Sequence, residues 1–169
     1  TVVFAEYPVI IKGQEDIEVK PRLEGLIEAI YVDEGATVKK GQTLFQINSP
    51  QTVQLLVSAQ QALVSAQAQV NTAKLDVDRM GRLAEKGIIS KVQLEALQNT
   101  YQSTLATQAQ AKAQVANAQA TSGWMTVTSP VDGVVGTIPY RQGSLVNTAT
   151  ALTTVANIEN IYAYFSLNE

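Results

Sequence analysis

Apolar positions change their spacing twice along this chain, and the two changes divide it. From Ile17 to Ile47, short apolar runs alternate with turn residues at Gly25, Asp33-Glu34-Gly35 and Lys39-Lys40-Gly41. Strands of four to six residues joined by glycine turns suit a compact sandwich or flattened barrel. At Ser49-Pro50, a good N-cap followed by a favoured first helical residue, the period becomes helical. Leu56, Ala59, Leu63, Ala66, Val70, Ala73, Val77, Met80 and Ala84 then alternate steps of three and four, the seam of a coiled coil. Lys86-Gly87 supplies a helix end, and Ser90-Lys91-Val92-Gln93 is a capping box that starts a second helix. Its stripe, Leu94, Leu97, Tyr101, Leu105, Ala111, Val115 and Ala118, is less regular and ends near Ser122-Gly123. From Trp124 the strand pattern returns.

Residues 19–47 reappear without a gap at 127–155. Val19, Gly25, Ile30, Gly35, Val38 and Leu44 meet Val127, Gly133, Ile138, Gly143, Val146 and Leu152. Each copy is too small to bury its own apolar face, so the two should pack on each other. The helical segment must then leave and return at one point, as an antiparallel hairpin with arms of about 35 and 33 residues. The expected fold class is α+β. Its expected divisions are 1–16 and 158–169 as strands of a domain mostly lacking here, 17–49 and 124–157 as the β halves, and 50–123 as the hairpin with its tip near 86–90. The chain starts and stops inside apparent strands (Thr1–Ile11 and Ile161–Leu167) and reads as a fragment. Gly25, Gly35, Gly133 and Gly143 read as turn glycines of the β halves, and Gly87 as the helix end.

Only 16% of residues are charged, and the shortfall is local: none lies in 51–73 or in 96–111. Nine of the hairpin's ten charged residues fall between Lys74 and Glu95, close to the tip. A net charge of −3 gives no electrostatic footprint for nucleic acid. No apolar run is long enough to span a membrane, and residues 1–15 lack a signal-peptide pattern. With no His and no Cys, neither a Ser-His nor a Cys-His nucleophile is available, and the carboxylates show no metal-ligand spacing. The expectation is a protein without catalysis, metal or cofactor. The absence of histidine also removes the usual side chain for a switch between about pH 5 and 8.

With these elements in this order, the sequence resembles the periplasmic adaptors, or membrane fusion proteins, of tripartite efflux pumps, in particular the AcrA/MexA type that serves resistance-nodulation-division (RND) transporters. The resemblance rests on the split β repeat, with Val19-Lys-Pro-Arg-Leu-Glu-Gly25 and Lys40-Gly-Gln-Thr-Leu-Phe-Gln-Ile47 in one half and Val127-Thr-Ser-Pro-Val-Asp-Gly133 in the other. It rests also on the inserted hairpin and on Arg79-x3-Leu83-x6-Ser90 at the turn, similar to the family's tip signature. It implies a split lipoyl-like β-sandwich carrying an antiparallel coiled-coil hairpin, plus two strands of an incomplete β-barrel domain. It also implies a periplasmic location, an inner-membrane anchor in the full-length protein, and a ring, expected to be hexameric, joining an inner-membrane transporter to an outer-membrane channel of the TolC type. Arg79, Leu83 and Ser90 would meet that channel.

Each of those three residues has a plainer role beside this one. Ser90 caps a helix, Leu83 flanks the seam, and Arg79 is a solvated charge; crowding of charge at the tip favours contact with a partner. The uncharged stem is either a polar solvent face or a surface for lateral packing of hairpins. A lipoyl- or biotinyl-carrier role would need a lysine at the turn between the halves, and none lies within Gln46–Thr52 or Gly123–Thr128. An adaptor for an ABC-type macrolide exporter or a type I secretion system is the alternative, because ABC-type adaptors share the tip signature.

Overall fold

The computed structural model describes residues 9–13, 16–157 and 161–165, the first and last of these through their backbone alone. Expectations for 1–8, 14–15, 158–160 and 166–169 lie outside the described residues. The elements in chain order are β1 (Val9–Gly13), β2 (Asp16–Val19), β3 (Gly25–Ile30), β4 (Thr37–Val38), β5 (Thr43–Asn48), α1 (Pro50–Glu85), α2 (Lys91–Gly123), β6 (Thr126–Thr128), β7 (Gly133–Val135), β8 (Leu145–Val146), β9 (Thr153–Asn157) and β10 (Ile161–Phe165). The chain divides into a β unit, on either side of the helices, and a helical unit, Pro50–Gly123.

In the β unit the two repeats exchange strands. One four-stranded antiparallel sheet runs β2-β9-β7-β4 and the other β6-β5-β3-β8. Replacing every strand by its counterpart one repeat away turns the first order into the second. The equivalence holds to the residue: Glu18 pairs with Thr154 as Gln46 pairs with Thr126, and Gly25 with Val146 as Gly133 with Val38. The Ile27 N–H donates to the Ser144 carbonyl at 2.9 Å, and its equivalent, Val135 N–H, donates to Ala36 at 2.9 Å.

Period-2 patterning explains the exchange. Along β3, Gly25 and Ile27 are buried while Leu26 and Glu28 face out. One copy alone would leave that inner face in water. Together, Val19, Ile27, Val38, Leu44 and Ile47 of the first copy join Val127, Val135, Val146, Leu152 and Val155 of the second in a single core. Phe45, fully buried, fills the position that Thr153 occupies in the other half, where the Thr153 hydroxyl donates to the Thr137 carbonyl at 3.1 Å.

Several strands are shorter than the expected four to six residues. β7 stops at Val135 although β3 continues to Ile30. Pro139 stands where the first copy has Tyr31, and proline has no N–H to give a ladder. β1 pairs antiparallel with β10, Val9 opposite Phe165 and Gly13 opposite Ile161.

The glycines separate into two groups. Gly35 and Gly143 hold φ of +79° and +89°, and Gly87 +72°, the left-handed region that disfavours a side chain. Gly25 and Gly133, expected in turns, instead open β3 and β7. Space is what excludes a side chain there. A Cβ on Gly25 would lie 2.5 Å from the Asn48 carbonyl oxygen, and one on Gly133 would collide with that of Ala156.

In the helical unit, α1 and α2 are antiparallel: Thr52 and Thr121 line one groove, Gln67 and Gln108 a second, and Asp76 and Leu97 a third. The helices of 36 and 33 residues extend about 50 Å. The inward stripe of α1 is the one the heptads predict, each of Leu56 to Ala84 in the seam being buried or half-buried. The seam of α2 is more regular than its apolar residues suggest. It runs Leu94, Leu97, Tyr101, Thr104, Gln108, Ala111, Val115, Ala118, so two polar residues occupy seam positions. Thr104 satisfies its hydroxyl on the Tyr101 carbonyl at 2.8 Å, and the Gln108 side-chain amide donates to the Gln67 side-chain oxygen across the helix pair.

Candidate functional site

The tip is where the helical unit concentrates its charge, and both of its helix ends are capped. At the end of α1 the Gly87 N–H donates to the Ala84 carbonyl and the Ile88 N–H to the Leu83 carbonyl, each at 3.0 Å. These two bonds, with Gly87 left-handed, make a Schellman motif that satisfies carbonyls the helix leaves open. At the start of α2 the Gln93 N–H donates to the Ser90 hydroxyl at 3.2 Å and the Ser90 N–H to the Gln93 side-chain oxygen at 3.1 Å. This is the reciprocal capping box of Ser90-x-x-Gln93. A turn fixed at both ends presents its side chains with little freedom left to lose on binding.

Arg79 lies on the outer surface of α1 and donates to the Asp76 carboxylate at 2.7 Å. With 68% of its side chain exposed, that ion pair contributes little to stability and leaves the guanidinium accessible. Leu83, half-buried, lies one turn further on, and its carbonyl serves the Schellman motif. Ser90 is exposed on the far side of the turn. All three belong to the last two turns of α1 and the cap of α2, so the fold gathers them at one end of the hairpin.

Two apolar side chains at the tip escaped the sequence reading. Ile88 is 65% exposed and Val92 74%, and Val92 is the most exposed of the large apolar side chains among the described residues. Neither is at a seam position, a signal available from the heptad register alone. Among the described residues no three acidic side chains gather in a way that would hold a metal ion, and no helix is long and apolar enough to cross a membrane.

The order of the parts, a split and strand-exchanged sandwich with a capped hairpin between its halves, matches one protein family. The family described as RND MFP, barrel-sandwich hybrid domain, aligns with residues 15–157. The chain belongs to the RND membrane fusion proteins. This membrane fusion protein is 30% identical over 161 residues to the multidrug resistance protein MdtA of Shigella boydii and of Escherichia coli O157:H7. Those alignments take in 94% of the chain but 39% of MdtA, so the chain spans about two fifths of the length of these relatives. Among solved structures it superposes on MacA from Actinobacillus actinomycetemcomitans with a TM-score of 0.76 at 25% identity, covering 94% of the chain and 56% of MacA. On ZneB from Cupriavidus metallidurans the TM-score is 0.67 at 27% identity, covering 93% and 67%. These likenesses take in both the sandwich and the hairpin.

Proposed function

We propose that the chain is the coupling segment of a non-enzymatic periplasmic adaptor. In this reading it links an inner-membrane RND transporter to an outer-membrane channel of the TolC type for export of drugs and other toxic compounds, and the full-length protein is anchored in the inner membrane. The observation that carries the reading is the tip: a turn locked by two capping motifs, bearing nearly all the hairpin's charge and set at the end of an almost uncharged stem. Arg79, Leu83 and Ser90 are the residues proposed to meet the channel.

A few tip residues bury far less than the ~800 Å² per partner of a standard stable interface, so one hairpin binds weakly. Six hairpins held in a ring turn weak contacts into a stable junction through effective concentration. The residues proposed to build that ring lie on the uncharged faces of the stem, where neighbouring hairpins would meet without repulsion. Residues 1–16 and 158–169 are proposed to belong to a β-barrel domain, and 17–49 with 124–157 to the lipoyl-like sandwich.

The test is export by cells whose full-length adaptor carries Leu83→Glu. Export should be lost with protein level and helicity unchanged; export at the normal rate would refute the tip assignment. Purifying the full-length protein from its own cells should bring an RND transporter with it. Recovery of an ABC transporter instead would move the protein to the ABC-type adaptors.

A further inference from the structure

We infer that Ile88 and Val92 are the apolar anchors of the tip, and that the surface they enter is an apolar hollow rimmed by acidic side chains on a protein partner. The inference rests on the proposal that the tip meets an outer-membrane channel, and it names the chemistry of that contact.

The first observation is where apolar surface is left unused. The hairpin closes through seams that begin, on α2, at Leu94 and Leu97. Val92 precedes that seam on the outer surface, and Ile88 sits in the turn, immediately after the left-handed Gly87. Ile89, between Ile88 and the cap, is half-buried. Folding therefore takes up part of Ile89 and leaves most of Ile88 and Val92 in water, at a turn whose backbone is held from both sides.

The second observation is charge. Between residues 79 and 91 stand Arg79, Arg82, Lys86 and Lys91 against the single anion Glu85, in a chain whose net charge is −3. Cations at the end of α1 suit the helix dipole, and Arg82 lies in its last turn. Lys91 does not: it is the first residue of α2, where the dipole favours an anion, and the first turn of α2 contains no acidic residue. Helix stability opposes a lysine at that place, so its charge points to something outside the hairpin. Only Arg79 of the four cations has an ion-pair partner among the described residues, Asp76. Two exposed apolar side chains, with three cations that lack an ion-pair partner close to them in sequence, are complementary to an apolar hollow with an acidic rim. Anionic lipid fits less well, because Arg79 is taken up by Asp76, Glu85 stands among the remaining cations, and the tip has no long apolar helix face to lie in a membrane surface.

The experiment uses full-length protein and the detergent-solubilised outer-membrane channel that co-purifies with it. A photo-cross-linker at position 83 first reports whether the tip meets the channel. Ile88→Ser and Val92→Ser should each weaken binding roughly tenfold, the equivalent of withdrawing one buried aliphatic side chain. Helix content and melting should not change, since both side chains are outside the seam. Lys86→Glu with Lys91→Glu should weaken binding and diminish or reverse its fall with rising salt. Channel cross-linking from position 83 together with wild-type affinity in both serine variants overturns the anchors and leaves the tip contact standing. Loss of that cross-link in the unaltered protein overturns the contact itself. Salt-independent binding of the unaltered protein overturns the acidic rim. Sedimentation with phosphatidylglycerol vesicles that Val92→Ser abolishes would overturn the protein partner in favour of a membrane surface.

Discussion

Ser90 carries two proposed roles, and substitution can separate them. Ser90→Ala removes the acceptor of the Gln93 N–H, a bond of 3.2 Å, and leaves intact the 3.1 Å bond from its own N–H to the Gln93 side chain. Losing a serine cap costs about 1 kcal/mol. For a cooperative unit of 60–100 residues that is a fall of about 4–8 °C in melting temperature. Ser90→Asp keeps an acceptor at the same place. It also puts a negative charge at the positive end of α2, whose first turn has none, for a gain of ~0.3–1 kcal/mol. The order of melting, followed by circular dichroism at 222 nm on full-length protein, should be Asp at or above Ser, then Ala. Export should rank differently. The aspartate variant keeps its helix yet places an anion at a tip that meets acidic groups, so export falls although stability does not. An alanine variant that melts like wild type would refute the capping argument. An aspartate variant that exports normally would leave Ser90 as a cap alone.

The glycines and the polar seam offer further tests. Gly25→Ala and Gly133→Ala should each destabilise the β unit by about 1–3 kcal/mol, because the new Cβ meets backbone of the facing strand; hydrogen exchange in β3 and β9 would report it without change in the hairpin. Gly35→Ala, with nothing within 4 Å of its Cβ, should cost only the left-handed backbone, about 1–2 kcal/mol. Gln108→Leu exchanges a polar seam residue for an apolar one. It should raise hairpin stability by about 1 kcal/mol while relaxing register, seen as cysteine cross-links between the helices at more than one offset. A single offset at unchanged stability would refute a register role for Gln108.

Much of this arrangement is legible in the sequence because burial imposes periods. The offset that aligns Val19 with Val127 and Leu44 with Leu152 also aligns strand register, since equivalent apolar positions face one core. The α1 seam is readable because its positions are all Ala, Leu, Val or Met. The α2 seam is blurred because Thr104 satisfies its hydroxyl on the Tyr101 carbonyl and the half-buried Gln108 bonds to Gln67 at the edge of the helix pair, and hydropathy alone assigns such residues to the surface. Strand exchange is not legible at all: alternation says which face a residue takes, not which copy supplies the neighbouring strand. Gly25 and Gly133 mislead for a related reason. Glycine in a sequence suggests a turn, whereas here a facing carbonyl demands the absence of a side chain. At the tip, Ile88 and Val92 belong to no motif, and only their place outside the heptad seam marks them as exposed apolar side chains.

All of the adaptor reading depends on residues 47 and 125 being neighbours in one sandwich, where the Ile47 N–H donates to the Met125 carbonyl at 2.7 Å, so that the hairpin begins and ends at one place. Disulfide formation measures that directly, in a chain with no cysteine of its own. Cysteines at Gln46 and Thr126, and separately at the equivalent Glu18 and Thr154, lie at directly opposed positions of adjacent antiparallel strands. Opposed Cα atoms there are about 4.5–5.5 Å apart, within reach of a disulfide. Each pair should close within one molecule on mild oxidation, leaving a monomer on a denaturing gel. Free thiols in the folded protein, or bonds formed only between molecules, would contradict the strand exchange and the reading built on it.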